Sequence, residues 1–176
     1  MPVAHRTSYR LEGTPLKDAI RAARLQEPSG PDGVKVAPLL FGDLPELYGI
    51  DRWSFGEDLS ALILATLKRH PGWRLVARDA SGMIKGYLVR SVSETGTRIG
   101  LFMASEPEIS RALLSRALSV NGNASVEVSI PNSGQAHALL EEFQFTGRVD
   151  RLRMGLGEAP GAKGLQIYDT TPYLAT

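Results

Sequence analysis

Two runs that alternate apolar and polar residues, 73–79 and 84–92, flank the tight turn Ala80-Ser-Gly-Met83, and that pattern predicts an antiparallel hairpin. On both sides of the hairpin the hydrophobic period keeps switching. Residues 41–48 and 57–69 read as helices, the second with Leu59, Leu62, Ile63 and Leu67 at helical spacing and a stop at His70-Pro-Gly72. Residues 97–104 continue as an apolar strand. A helix follows over 107–118, with Ile109, Leu113, Leu114, Ala117 and Leu118 on one face, and Asn121-Gly-Asn123 breaks it. A strand over 125–130, a helix over 135–143, a long strand over 146–156 and a short one over 164–169 complete the chain. With a strand over 34–38 in front, the order is strand, two helices, three strands, helix, strand, helix, strand. Hairpins and crossovers in one chain predict a mixed α/β fold in which helices cover a central mixed sheet.

The first 33 residues break from that rhythm. A strand over 5–11 and a helix over 15–25 lead into Glu27-Pro-Ser-Gly-Pro-Asp-Gly33, whose prolines and glycines mark a flexible joint. The expected division is an N-terminal extension over 1–33 and a compact domain over 34–176. With 43% hydrophobic and 22% charged residues, the chain has the composition of a folding globular domain and not of a disordered one. The absence of cysteine removes disulfides, thiolate metal sites and cysteine nucleophiles together, and no metal site is expected. The net charge is +1, from 20 basic and 19 acidic residues that alternate along the chain, which argues against a nucleic-acid partner. The nearest basic group, Arg148, Arg151 and Arg153, reads as the solvated face of a strand. Residues 1–11 are polar, and no window approaches the ~18 apolar residues of a spanning helix, so no membrane partner is expected and the cytoplasm is the expected location.

Three stretches add a family likeness. Asp43-Leu-Pro-Glu-Leu-Tyr-Gly-Ile-Asp-Arg-Trp-Ser-Phe-Gly-Glu-Asp-Leu59 looks like a pair of first helices. Residues 132–145, beginning at Asn132 and ending in Gln144-Phe145, are similar to a helix that usually closes on Gly-Phe. Arg151-Leu-Arg-Met-Gly155 is followed by Pro160 and an Ile167-Tyr168 ending. Together with the order of elements, these resemble the GNAT superfamily of acyl-coenzyme-A-dependent N-acyltransferases, in particular the second half of two-domain acetyltransferases, over residues 34–174. His5-Arg-Thr-Ser-Tyr-Arg-Leu-Glu-Gly13 resembles the closing strand of a preceding half. The resemblance implies a GNAT-like domain carrying the trailing strand of a partner, so a second GNAT half or a homodimer is the expected assembly.

The resemblance also implies acetyl-CoA as co-substrate. Its pantetheine arm would lie along the backbone of Leu101, Phe102 and Met103, with Ser105, Ser110, Arg111 and Asn132 as further contacts. Where the family has a Gly-rich phosphate cradle, this chain reads Ser105-Glu-Pro-Glu-Ile-Ser110, without glycine and with two carboxylates. Ser105 and Glu108 match a capping box, and Pro107 suits a first helical turn. Backbone donors capped in that way cannot also serve a phosphate. Glu106 and Glu108 would repel a diphosphate, by several kcal/mol at about 5 Å and an effective dielectric near 20, with Arg111 and Arg116 in compensation. The expectation is a cradle plugged by the chain's own side chains.

The family's general acid is often a tyrosine in the helix before Gly-Phe. The matching residue here is Leu140, which cannot donate a proton, and Gln144 replaces the glycine. The remaining catalytic candidates are His137, Asp51 and Glu94 beside Glu57 and Asp58, and Tyr168 with Tyr173, while Trp53 and Phe55 are candidate pocket walls. Each has a plainer structural reading: His137 as a surface or capping residue, Glu57 and Asp58 as first-turn charges, Trp53 as core. Two functions follow. One is an N-acetyltransferase acting on the amine of a small molecule or protein through a degenerate cofactor site; the other is a catalytically inactive GNAT-like interaction or regulatory module.

Overall fold

The computed structural model describes residues 3–25, 30–55, 64, 68, 74–94, 96–122, 124–131, 134–154 and 166–169. Their elements are β1 (Val3–Leu11), α1 (Gly13–Leu25), β2 (Lys35–Pro38), α2 (Leu44–Phe55), β3 (Arg74–Arg78), β4 (Ile84–Ser93), β5 (Gly96–Ala104), α3 (Pro107–Ser119), β6 (Ser125–Pro131), α4 (Gly134–Glu142), β7 (Thr146–Met154) and β8 (Gln166–Asp169). The helix expected over 57–69 lies outside the described residues except for Leu64 and Lys68, both helical.

One sheet holds every described strand, in the order β2-β3-β4-β5-β6-β1-β7, with β8 paired to β5 off that path. Only β5 and β6 run parallel; the other pairs are antiparallel. Residues ahead of Val34 do not stand apart as an extension. β1 lies between β6 and β7, and Tyr9, Leu11, Leu16, Ile20 and Ala23 pack in the same core as Phe102, Leu113 and Val128. The reason is in the strand's own alternation: Tyr9 and Leu11 turn toward the helices, while Ser8 and Arg10 turn away.

The expected hairpin forms, and Asp79 shapes its turn. Its carboxylate accepts hydrogen bonds from the Ser81 hydroxyl (2.6 Å), Ser81 N (2.9 Å) and Met83 N (3.1 Å), and Gly82 takes a φ of 89°. Arg78 ties this hairpin to the start of α2 through Asp43 (2.7 Å) and Glu46 (3.1 Å), and Glu46 also accepts from Ile84 N (2.6 Å).

The helices divide between the two faces of the sheet. α1, α3 and α4 cover Leu88, Ile99, Phe102, Ala104, Val126, Val128 and Ile130; α2 covers Val76, Tyr87, Val89, Leu101 and Met103. In α3 the residues at helical spacing, Ile109, Leu113, Leu114, Ala117 and Leu118, are all buried, each large aliphatic one contributing about 1.5–3 kcal/mol. Contact with β4 is close: a Cβ added at Gly86 would stand 2.8 Å from Met103 O and 3.1 Å from Leu113 Cδ1.

α4 ends in a Schellman motif, Phe145 N bonding Leu140 O and Gln144 N bonding Glu141 O (both 2.9 Å), with Phe145 packed in the core beside Leu139 and Leu140. That motif puts Gln144 at φ 61°, the left-handed conformation that glycine adopts most readily.

Candidate functional site

The parallel pair at the centre of the sheet is short. Gly96 to Ile99 of β5 pair with Ser125 to Val128 of β6, and there the two strands part. The register between β4 and β5 shifts at the same level, Val89 facing Leu101 while Arg90 faces Ile99, so Gly100 is the extra residue of a β-bulge. Beyond the bulge β5 has lost its β6 partner. Its free edge is taken up by β8, running antiparallel with Asp169 against Phe102, Ile167 against Met103 and Gln166 against Ala104, and β8 also lies against β6. The backbone expected to receive a pantetheine arm, at Leu101 to Met103, thus has the chain's own C-terminal strand alongside it.

α3 begins where this fork opens, and the expected capping box does not form there. The N-cap is Glu106, at φ −143° and ψ 152°, and it makes no side-chain cap hydrogen bond. Pro107 is the first helical residue, so the helix starts one residue later than the Ser105–Glu108 spacing requires, and the third helical position falls on Ile109. The Ser105 hydroxyl is buried with no hydrogen-bond partner among the described residues, while Ser105 N donates to Lys85 O (2.8 Å). Ser110 turns its hydroxyl back onto Pro107 O (2.6 Å). The expected capping box is therefore corrected: the first turn of α3 has no side-chain cap, while Glu106 and Glu108 stand exposed at it as expected, and β8 lies along the neighbouring edge of β5.

On the α2 face, Leu44, Leu47 and Asp51 share one buried stripe, and Asp51 is 1% exposed. Tyr87 of β4 donates its hydroxyl to Asp51 Oδ1 (2.7 Å) and touches Met103 Sδ (3.2 Å); Asp51 Oδ2 is buried without a partner among the described residues. Burial pushes the Asp51 carboxyl up to about 6, against the pull of the Tyr87 hydrogen bond, and Tyr87 is raised well above its usual range by burial and by the carboxylate. Sequence reasoning had Asp51 but missed Tyr87. The available signal was an acidic residue at the fourth position after Leu47, on the apolar stripe of a helix.

Further along that face, polar side chains form a row across four strands. Register sets Ser91 beside Arg98, Arg98 beside Glu127, and Glu127 beside Arg10, with which it is ion-paired. Arg98 Nη2 donates to Ser129 Oγ (3.3 Å), which in turn hydrogen-bonds Ser8 Oγ (3.0 Å); Ser91, Arg98 and Ser129 are buried. None of these residues stood out in the sequence, because strand alternation makes them look like a solvated face.

The remaining candidates are scattered. His137 lies on the opposite face from Asp51, its Nδ1 2.6 Å from the Tyr9 hydroxyl and its ring tilted against the Tyr9 ring, so the two cannot act on one atom. Glu94 is exposed in the turn between β4 and β5. Arg111 is on the outer surface of α3, paired with Glu142 (2.7 Å) and lining a shallow groove with Asp18 and Phe143. Tyr168 is in β8, its side chain outside the description; Asn132, Tyr173, Glu57 and Asp58 lie outside the described residues, as do the side chains of Trp53 and Phe55. Among the described residues no group of His, Asp or Glu is placed to hold a metal, and no helix is long and apolar enough to cross a membrane.

The family described as Acetyltransferase (GNAT) domain matches residues 47–169. Among solved structures the chain is similar to a GCN5-related N-acetyltransferase from Sphaerobacter thermophilus, with a TM-score of 0.61 at 19% identity over 85% of this chain and 50% of that one. It is similar also to a Pyrococcus horikoshii protein provisionally assigned as an acetyltransferase, with a TM-score of 0.61 at 19% identity over 97% of this chain and 50% of that one. The chain therefore spans about half the length of these two structures, and at such identity the likeness is one of fold. No curated protein matches the sequence.

Proposed function

The chain belongs to the GNAT acetyltransferase domain family, and from that premise we propose that it moves an acetyl group from acetyl-CoA to an amine. The observation that carries this reading is the fork itself: a parallel strand pair that parts at a bulge beside the uncapped start of a helix. The groups present fit such a co-substrate. The edge of β5 from Phe102 to Ala104 already accepts an extended partner, and the first turn of α3 offers N–H groups and the positive end of a helix dipole to a diphosphate, against the repulsion of the exposed Glu106 and Glu108 at the same turn. When bound, the coenzyme supplies the activated acetyl thioester.

The chain's own side chains then handle the acceptor. The polar row of Ser8, Arg98, Glu127 and Ser129 faces away from the dry core, on the face that leads to the fork. Glu127, held by Arg10, draws in the cationic amine and takes its proton, while Arg98 and the two serines orient its polar substituents. Asp51 is sealed beneath α2 and acts as a positioning residue, through Tyr87 and the floor under Met103. Leu140 faces the core and offers no proton, so the departing thiolate takes its proton from water or from a tyrosine elsewhere in the chain.

Two measurements test the reading. Acetyl-CoA titrated calorimetrically should bind, and a panel of amines should release free coenzyme; neither binding nor turnover at millimolar acetyl-CoA would overturn it. Glu127→Gln should lower kcat/KM for the amine by about 100-fold while leaving the KM for acetyl-CoA unchanged. A second GNAT half or a second copy is the proposed partner, in keeping with relatives twice as long and with β7 at the edge of the sheet. The cytoplasm is the proposed location, in keeping with a sequence without cysteine.

A further inference from the structure

The position of β8 is unexpected for a strand that follows β7 in the chain. Eleven residues separate Met154 from Gln166, enough for β8 to return along β7 as a hairpin. The inner edge of β7 is closed, however, because β1 pairs with it over its whole length, from Thr146 to Met154. β1 closes the outer edge of β6 as well, from Val126 to Pro131. Among the described strands, the unpaired edges inside the sheet are the two that face each other across the fork, on β5 beyond the bulge and on β6 beyond Val128, and β8 is seated on the β5 side.

We propose that β8 is a built-in strap that occupies the coenzyme fork, so that acyl-CoA binds only when β8 leaves β5. The inference rests on the acetyl-CoA reading given above, and goes beyond it by naming what the coenzyme must displace. A strand edge pairs with one extended partner at a time, and an amide-bearing coenzyme arm and a peptide strand need the same N–H and C=O groups. β8 competes as part of the same chain, so its pairing with β5 needs no second molecule and does not dilute. Apparent coenzyme affinity is reduced by the fraction of molecules in which the fork is open, so a strap closed ~99% of the time weakens it about 100-fold. Short length makes the strap releasable: three of its four residues pair, with a register irregularity between Phe102 and Met103.

The absence of cysteine makes a clean test possible. Ala104→Cys with Gln166→Cys joins two register partners, and the pair can be locked by oxidation and freed by reduction in the full chain. The oxidised form should fail to bind acetyl-CoA, the reduced form of the same variant should recover binding, and Ile167→Pro, which breaks the β8 pairing, should bind about 10–100-fold tighter than the native chain. Equal affinity in the oxidised and reduced forms overturns the strap and leaves the acetyl-CoA reading standing. If Ile167→Pro exposes the amides of Phe102 to Ala104 to hydrogen exchange and still binds no acetyl-CoA, the strap as a coenzyme competitor and the coenzyme reading fall together, because an open fork that takes no coenzyme is not its site. Should the proline variant fail to fold, the oxidised and reduced comparison decides alone.

Discussion

Beneath α1, α3 and α4 the sheet presents a nearly unbroken apolar surface, with Arg90 at its margin donating to Ala117 O (2.9 Å); beneath α2 and across β6 and β1 it presents a carboxyl, a tyrosine, an arginine and serines. The first face holds the larger of the two core clusters and the helices that fix the fold. The second holds groups that cost free energy to bury and repay it only through specific partners. A fold can tolerate such a face because the other one carries most of the hydrophobic stabilisation. The chemistry proposed for this chain lies on the costly side.

The contrast makes predictions that differ in kind as well as size. Truncation on the dry face should be expensive and indifferent to pH: Leu113→Ala, at a position fully buried against Gly86, should lower the unfolding free energy by about 2–5 kcal/mol in denaturant titrations at both pH 5 and pH 8. A similar loss confined to one pH would erase the distinction between the faces.

Asp51→Asn should do the opposite. The Asp51 carboxyl is raised from 3.8 to about 6 in the folded chain, so the folded state holds its proton more tightly than the unfolded one. The native chain therefore loses stability as pH rises from about 4 to 6, and above that the buried charge costs up to about 3 kcal/mol. The asparagine variant escapes this cost while its amide oxygen still accepts from Tyr87. Its stability relative to the native chain should grow across that window and level off above it; a flat difference would mean that the carboxyl is not confined as described.

Gln144→Gly should raise stability by roughly 0.5–1 kcal/mol, since it relieves a left-handed backbone at the end of α4 without touching the sheet. The smallest effect belongs to the hairpin turn. The Ser81 hydroxyl, with Lys85 and the turn amides, holds the half-buried Asp79 down at about 2, so its contribution is present above pH 4 and is lost as pH falls through about 2. Asp79→Asn should speed hydrogen exchange at the Ser81 and Met83 amides at neutral pH, and the difference should fall to about half at pH 2.

Much of this architecture could be read residue by residue. The alternation around Ala80 to Met83, the spacing of Ile109, Leu113, Ala117 and Leu118 in α3, and the turn at the end of α4 are local patterns, and the elements they predict are found within a few residues of their expected bounds; the helix expected over 41–48 runs instead over Leu44–Phe55. The candidate site was harder. Asp51 was named, but its partner Tyr87 is 36 residues away, and the row from Ser91 to Arg10 exists only because four strands meet in register. The cap at Ser105 failed by one residue, because a proline that suits the first turn fixes where the helix begins.

Composition and periodicity determined which segments become strands and helices, because those preferences act over one or two turns of chain. Only the tertiary structure decided which edge each strand finds. β1 enters between β6 and β7, and that choice leaves β8 the fork on β5. Edges are equivalent hydrogen-bonding ladders until long-range pairing closes some of them, and no local run of residues records the order in which they close.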